Sequence, residues 1–370
     1  MLFVSIKVQA SQPQDDLAQQ ASDLLRAGQF HESELLWRQL AQREPGNVSV
    51  HNNLGFTLSQ QGQLSAAASE YRTSLQLQPH QPDVALNLGM AEFKQGHFDE
   101  AIPAFTTVMK EKPGEQRAAL LLGMSHFGLR QYAEAVKYLQ PASAQDPSNL
   151  ELHNVLAQSC LWSKQYDCAL TEFKAILQVN ADAVQAHMLM AEALDGEGRT
   201  QDAIQELETA AQISPNQPVL HFELGFLYYK NRNLDEATKE LQLEVKNNPG
   251  YAQAYAYLGD ISFRRNDETA AEPLLKKAIE LEEHLRLAYF DLGCIYANQQ
   301  KNEQALPFLQ RAVELDPSQP NAHYRLGRLY AQMGQKQKAT DEFAKTKNLH
   351  DKTEESLIQK VSGDTAPGPQ

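Results

Sequence analysis

Few residues in this chain are of a type and spacing that suggest chemistry. His153, His187 and His221 recur 34 residues apart, and a recurring imidazole first suggests a metal. Equivalent residues on successive packed helices lie at least ~8–10 Å apart, whereas each ligand of one zinc ion sits ~2 Å from it. A shared ion is therefore ruled out, and the three rings are read as polar aromatics packed inside their own helical hairpins. Gly196-Glu197-Gly198 is the one glycine cluster. It lacks the G-x-G-x-x-G continuation and a preceding strand, so it reads as a turn. No P-loop, H-E-x-x-H or C-x-x-C occurs, and the acidic residues are scattered, with no pair standing out as an acid/base couple. The expectation is a non-enzyme with no catalytic residue, no cofactor and no metal site.

The cysteines leave two readings. Cys160 and Cys168 are nearly equidistant from the Lys164-Gln165 turn and could face each other across it. One expectation is a disulfide, favoured by an oxidising compartment. The other is two small buried apolar side chains. Cys294 has no evident partner, and three cysteines exclude a disulfide framework.

The elements that carry these residues follow from a repeat. Pro45, Pro79, Pro113 and Pro147 are spaced by 34, and Pro215, Pro249 and Pro317 fall in the same phase, with Ala181 and Glu283 in the gaps. Proline lacks an N–H and biases the preceding residue away from helical angles, so each marks a helix end. Leu-Gly recurs in the same frame at Leu54-Gly55, Leu88-Gly89, Leu122-Gly123, Leu224-Gly225, Leu258-Gly259, Leu292-Gly293 and Leu326-Gly327. Leu156-Ala157 and Met190-Ala191 stand in the two gaps. Twelve residues after each small residue comes an alanine, from Ala67 to Ala339. A helical glycine costs ~1 kcal/mol against alanine. Its recurrence implies close approach of two helices, expected between the glycine of the first helix (A) and the alanine of the second (B). Pro103, Pro273 and Pro307 share one repeat position, expected near the first turn of helix B, where a missing N–H costs least.

One unit, Arg286–Gln319, shows the whole order: Tyr289, Leu292-Gly293, Tyr296, Ala305, Leu309, Pro317. This order and period resemble the tetratricopeptide-repeat (TPR) family. The resemblance covers residues 14–350, about ten repeats. It implies an all-α solenoid of helix-turn-helix repeats in a right-handed superhelix. One departure is consistent: the first large position, often Trp in the family, holds residues such as His51, His153, His187, His221, Tyr255, Tyr289 and His323.

The resemblance also implies a function, a non-catalytic scaffold that binds a peptide or helix of another protein in its concave groove. On helix A, Leu224, Gly225 and Tyr228 form the stripe against helix B, while Phe222, Phe226 and Tyr229 form a second, offset stripe. By resemblance this second stripe lines the groove, and its candidate partner-binding members are Phe56, Met90, Phe93, Met124, Phe127, Asn154, Gln158, Met188, Phe222, Phe226, Tyr229, Phe263, Phe290 and Tyr324. Leu161 and Trp162 lie on or beside it, and Asp260, Arg325 and Arg328 interleave. Methionine adapts its shape and aromatic rings offer large contact area, which suits an apolar peptide groove. The alternative for each apolar member is packing between successive A helices. The carboxylate clamp of some TPR proteins is not evident, because Leu86, Asn87, Leu120 and Leu121 stand where basic residues would be required. A second reading of the chain is a structural spacer or assembly subunit of an envelope or secretion complex, binding through its outer faces or termini. Self-association through the end repeats is also open.

Composition bounds the partners. Lysine and arginine number 33 against 47 acidic residues, a formal charge of −14. Nucleic acid is disfavoured, since affinity for it comes largely from cationic side chains at phosphates, and so is an anionic membrane surface. No run of apolar residues reaches the length of a membrane span. At the start, residues 1–13 read as a disordered N-terminus or the remnant of an export signal, with Val8-Gln9-Ala10 like a cleavage site and Lys7 interrupting the apolar core. Localisation follows from that choice: exported or periplasmic in the second case, cytoplasmic in the first. At the other end, 351–361 is expected to be a capping helix opened by Asp351 and Glu354, with Leu357, Ile358 and Val361 covering the last repeat. Residues 362–370 are expected to be a disordered tail.

Overall fold

The computed structural model describes residues 13–362, with side chains described from Asp16 to Lys352. Twenty α-helices and no strand occur among the described residues. The chain divides into two compact units at Glu197/Gly198.

The first unit holds α1 (Pro13–Arg26), α2 (Phe30–Arg43), α3 (Val48–Gln60), α4 (Leu64–Leu77), α5 (Pro82–Lys94) and α6 (Phe98–Glu111). It continues with α7 (Gln116–Gly128), α8 (Tyr132–Gln145), α9 (Leu150–Trp162), α10 (Tyr166–Val179) and α11 (Val184–Gly196). The second unit holds α12 (Thr200–Ile213), α13 (Leu220–Lys230), α14 (Leu234–Asn247), α15 (Ala252–Arg264) and α16 (Glu268–Leu281). It ends with α17 (Arg286–Asn298), α18 (Asn302–Leu315), α19 (Pro320–Gln332) and α20 (Lys336–Ser362). Odd-numbered helices are the A helices of the repeat and even-numbered ones the B helices. This is the all-α TPR solenoid that the repeat order implies.

Both connections of the repeat have local causes. The turn inside each hairpin passes through one residue with left-handed backbone angles, and these residues are 34 apart from Gly28 to Gly334. Half are glycine, such as Gly62 at φ 75°, and half are not, such as Arg232 and Lys164 at φ 61°. The left-handed turn is therefore imposed by the packing of the hairpin even where the side chain disfavours it. The outer connection follows the end of helix B, where the in-phase prolines stand. Several A and B helices then begin on a side-chain cap. Asn47 accepts from the N–H groups of Ser49 and Val50, Asn149 from Leu152, and Asp267 from Ala270.

The glycines of the A helices do mark close approach, but the partner is not the alanine of helix B. A Cβ on Gly293 would lie 2.6 Å from Cγ of Leu309, and one on Gly89 would lie 2.6 Å from Cε1 of Phe105. The same holds for Gly55 with Tyr71 and Gly259 with Leu275. In each case a large side chain, one turn beyond the alanine, lies over the glycine. The alanines Ala67, Ala101, Ala135, Ala237, Ala271 and Ala305 are themselves fully buried.

Two further expectations give way. Pro103, Pro273 and Pro307 are each the sixth residue of their helix, one turn deeper than expected. All three are exposed, so the carbonyl that loses its donor stays near water. The segment 351–361 is not a separate helix but the continuation of α20. No glycine or proline occurs between Lys336 and Ser362 to break it. The side chains of Leu357, Ile358 and Val361, the expected export-signal segment up to residue 12 and the tail from 363 lie outside the described residues.

Helix rows are not equivalent within a unit. Each A helix touches the next A helix directly, as in α3–α5, α5–α7, α13–α15, α15–α17 and α17–α19. No comparable pairing of successive B helices occurs within either unit among the described residues. The A row is thus the tightly closed side of each unit, and the B row the splayed side.

Candidate functional site

The A row is built on a fixed anchor. His51, His153, His221 and His323, buried near the start of their A helices, bond at both ring nitrogens. Nδ1 of His51, His221 and His323 bonds to Glu70, Glu240 and Glu342 of helix B at 2.6, 2.7 and 2.5 Å, and His153 bonds to Glu172 in the same way. Nε2 of each faces the carbonyl oxygen of Pro45, Pro147, Pro215 or Pro317 at 2.7–3.0 Å. A glutamate carboxylate thus faces one ring nitrogen and a backbone carbonyl the other. The ring therefore ties helix A to its own helix B and to the end of the preceding repeat. The glutamate carries a readable signal, a Glu at a constant 19 residues after the His, which sequence reasoning did not use.

On the first unit, Phe56 is 41% exposed and Trp162 is 42% exposed. Met90, Phe93, Met124 and Phe127 are half-buried. Phe127 stacks on Trp162 with ring centres 6.0 Å apart, and Tyr132 joins them at 4.9 Å from Trp162. Asn154 is exposed and its Oδ1 accepts from Nε2 of Gln158 at 3.0 Å. Met188 and Leu161 are buried, at 7% and 3% exposure, so they belong to the packing and offer no surface.

On the second unit the stripe is broader than its sequence reading. Phe222 and Phe226 stack at 6.1 Å, and Tyr257 closes on both, at 5.9 and 5.3 Å. Tyr229 packs edge-on to Tyr257 at 5.1 Å and donates its hydroxyl to Asp260 at 2.6 Å. Phe222, Phe226, Tyr229, Phe263 and Phe290 are half-buried, and Tyr324 is 46% exposed. Arg264 donates from Nε to Asp260 at 2.5 Å and lies 5.3 Å from the centre of the Tyr229 ring. Lys230 lies 5.9 Å from the centre of the Phe226 ring.

Two carboxyl groups are sunk in this face. Asp260 and Asp291 are both nearly fully buried. Burial first, and the charge of Asp260 second, push the Asp291 carboxyl well above the ordinary carboxylate range. Burial, followed by the hydrogen bond to Asp260, raises the Tyr229 phenol above its ordinary range. Cys294 is buried beside them, and that burial pushes its thiol up to about 12. Tyr257, Asp291, Arg264 and Lys230 were missed in the sequence. The missing signal was columnar, since Glu223, Tyr257, Asp291 and Arg325 occupy one repeat position, adjacent to the column searched.

Cys160 of α9 and Cys168 of α10 are joined as a disulfide, with Cα atoms 5.7 Å apart. No group of three or more His, Cys, Asp or Glu side chains suited to a metal ion occurs among the described residues, and no helix among them is long and apolar enough to cross a membrane.

Comparison with known proteins agrees with this architecture. Tetratricopeptide-repeat models match residues 19–82 and 86–149, 126–193 and 196–259, and 321–353, and a further TPR-repeat model matches 293–334. The chain belongs to the tetratricopeptide-repeat family. Arrays of this family are in general non-catalytic modules that bind other proteins, and the repeats support a protein-interaction scaffold here. No curated protein sequence matches the chain.

Among solved structures, a chain of the Naa15/Naa10 complex bound to HypK-THB is similar at 15% identity and a TM-score of 0.50. That match covers 91% of this chain and 64% of the other, so this chain spans under two thirds of that protein's length. Yeast Tom70 is similar at 13% identity, covering 94% of each chain, with a TM-score of 0.43. MamA from Desulfovibrio magneticus is similar at 20% identity over 46% of this chain and 96% of that one, with a TM-score of 0.41. Identities this low speak to the fold alone.

Proposed function

We propose that the protein captures a peptide or helical segment of another protein along the A-helix face. The observation that carries this reading is the state of the aromatic stripe. Phe93, Phe127, Phe222, Phe226 and Phe290 are half-buried, neither sealed by their neighbours nor fully solvated. Packing holds their rings in place, so little side-chain entropy is lost when a guest covers them. On each unit such apolar surface marks an interaction site, and both extended-peptide and helix-in-groove modes fit its packed A helices.

The test is replacement of Phe222 and Phe226 by Ser, followed by capture of partner proteins from the native host and by circular dichroism. Loss of captured partners with helicity retained is the expected result. Capture unchanged by the double substitution removes the A face from consideration.

A further inference from the structure

We propose that the A-helix face of the second unit is selective for an acidic segment bearing aromatic or apolar residues. The proposal rests on the reading of that face as the binding surface and adds the charge of the guest. The protein as a whole carries a formal −14, so on net charge alone a basic partner would be expected. The face departs from that average, because Asp260 and Asp291 are buried while Lys230, Arg232 and Arg264 reach its surface.

Asp260 keeps 4% of its side-chain surface and is engaged by Arg264, whose own side chain is 55% exposed. Asp291 is buried too, and that burial together with the charge of Asp260 pushes its carboxyl above the ordinary range. Glu223, half-buried, is the remaining carboxylate in these columns. At the end of the stripe, beside the turn from α13 to α14, a recess of about 640 Å³ is lined by Tyr229, Lys230, Arg232, Leu234 and Arg264. Three cations and no carboxylate line it. Lys230 and Arg264 are held over the rings of Phe226 and Tyr229, which places fixed positive charge beside the apolar floor. Further along, Arg328 is exposed and Arg325 half-buried. A guest that puts its rings on Phe226 and Tyr257 brings neighbouring acidic side chains within reach of these cations. Arginine suits that role because its planar fork carries five N–H donors, of which Asp260 engages the Nε group here.

The experiment uses the full chain and three fluorescein-labelled peptides, of repeating Phe-Glu-Ala, Phe-Gln-Ala and Phe-Lys-Ala, read by fluorescence anisotropy. Two or three exposed ion pairs together are worth roughly tenfold in affinity at low salt, so the Glu peptide should bind about that much more tightly than the Gln peptide. The advantage should shrink as salt rises, since exposed charges are screened. Lys230→Gln with Arg232→Gln should weaken Glu-peptide binding more than Gln-peptide binding, and so reduce the advantage. Should that variant fail to fold, the three-peptide comparison on the unaltered protein still decides.

Equal binding of the Glu and Gln peptides, or preference for the Lys peptide, overturns the charge selectivity. If Phe226→Ser still abolishes Gln-peptide binding in that case, the groove reading stands alone. Binding of none of the three overturns both. A peptide-free dimer in sedimentation that the Lys230/Arg232 variant dissolves also overturns the inference, by assigning the face to a second copy.

Discussion

Gly293→Ala separates the packing account of the repeat from simple helix propensity. In an otherwise unconstrained helix, glycine to alanine stabilises by ~1 kcal/mol. Here the new Cβ would lie 2.6 Å from Cγ, 2.7 Å from Cδ2 and 3.1 Å from the backbone nitrogen of Leu309. Carbon atoms prefer separations of ~3.5–4.0 Å, so nearly an ångström of overlap must be relieved. Leu309 is fully buried, in one core cluster with Leu292, Ile295, Ala305 and Leu326, so moving it disturbs packed neighbours. The contact with its backbone nitrogen means that rotating the side chain alone does not cure the clash. Overpacking of this kind costs ~1–3 kcal/mol. Against a gain of ~1 kcal/mol, the net expectation is a loss of up to about 2 kcal/mol, felt mainly in the α17–α18 hairpin.

The assay is urea unfolding by circular dichroism, with the midpoint compared at unchanged slope, together with amide exchange across α17 and α18. Exchange matters because a repeat array unfolds in parts. Adding Leu309→Ala to Gly293→Ala should show a favourable coupling of about 1 kcal/mol, because the truncated side chain makes room for the new methyl. A single Gly293→Ala variant that is more stable than the parent, by the amount propensity alone supplies, refutes the close approach of glycine and leucine.

Two shorter predictions follow from buried groups. Unfolded without reductant, the chain should expose one free thiol, that of Cys294, and three after reduction, because Cys160 and Cys168 are bonded. In the folded protein Cys294 should resist thiol reagents at neutral pH, since burial raises it to about 12. Asp291→Asn should stabilise the protein at neutral pH and have little effect in acid. The sign follows from linkage: the folded state holds the Asp291 proton above the ordinary carboxylate range, while the unfolded state releases it there. The parent therefore loses stability as pH rises above that range, and the amide, which does not ionise, removes the loss. Urea midpoints at acidic and neutral pH check it, and an equal effect at both would contradict the assignment.

Much of the fold was legible because a few residues carry information by phase. Pro45 through Pro317 marked the ends of B helices, and Leu-Gly pairs marked the A helices. Other features were hidden for physical reasons. The partner of Gly293 is Leu309 rather than Ala305, and a leucine in a helix has no distinctive spelling. The left-handed turn residue is Arg130, Lys164, Arg232, Asn266 or Gln300 in half the hairpins, where the hairpin imposes what the residue type does not announce. The continuation of α20 past Asp351 depended on the absence of a breaker, which an acidic residue with the look of a cap concealed. In the candidate site the aromatic residues were readable, but their exposure was not. Met188 and Phe226 stand in similar stripes, and only packing sinks the first and leaves the second half-buried. Asp291 was overlooked because an acid on a helix surface ordinarily reads as solvated.

The central claim is that a partner lies on the A face and not on the B face. A photo-crosslinking amino acid placed at Phe226 on the A face, or at Leu243 on α14, which is 38% exposed, tests it in the native host. The account predicts that irradiation joins a partner protein to the chain from position 226, on tryptic fragments that include α13, and yields none from position 243. Adducts from position 243 with none from position 226 would contradict it.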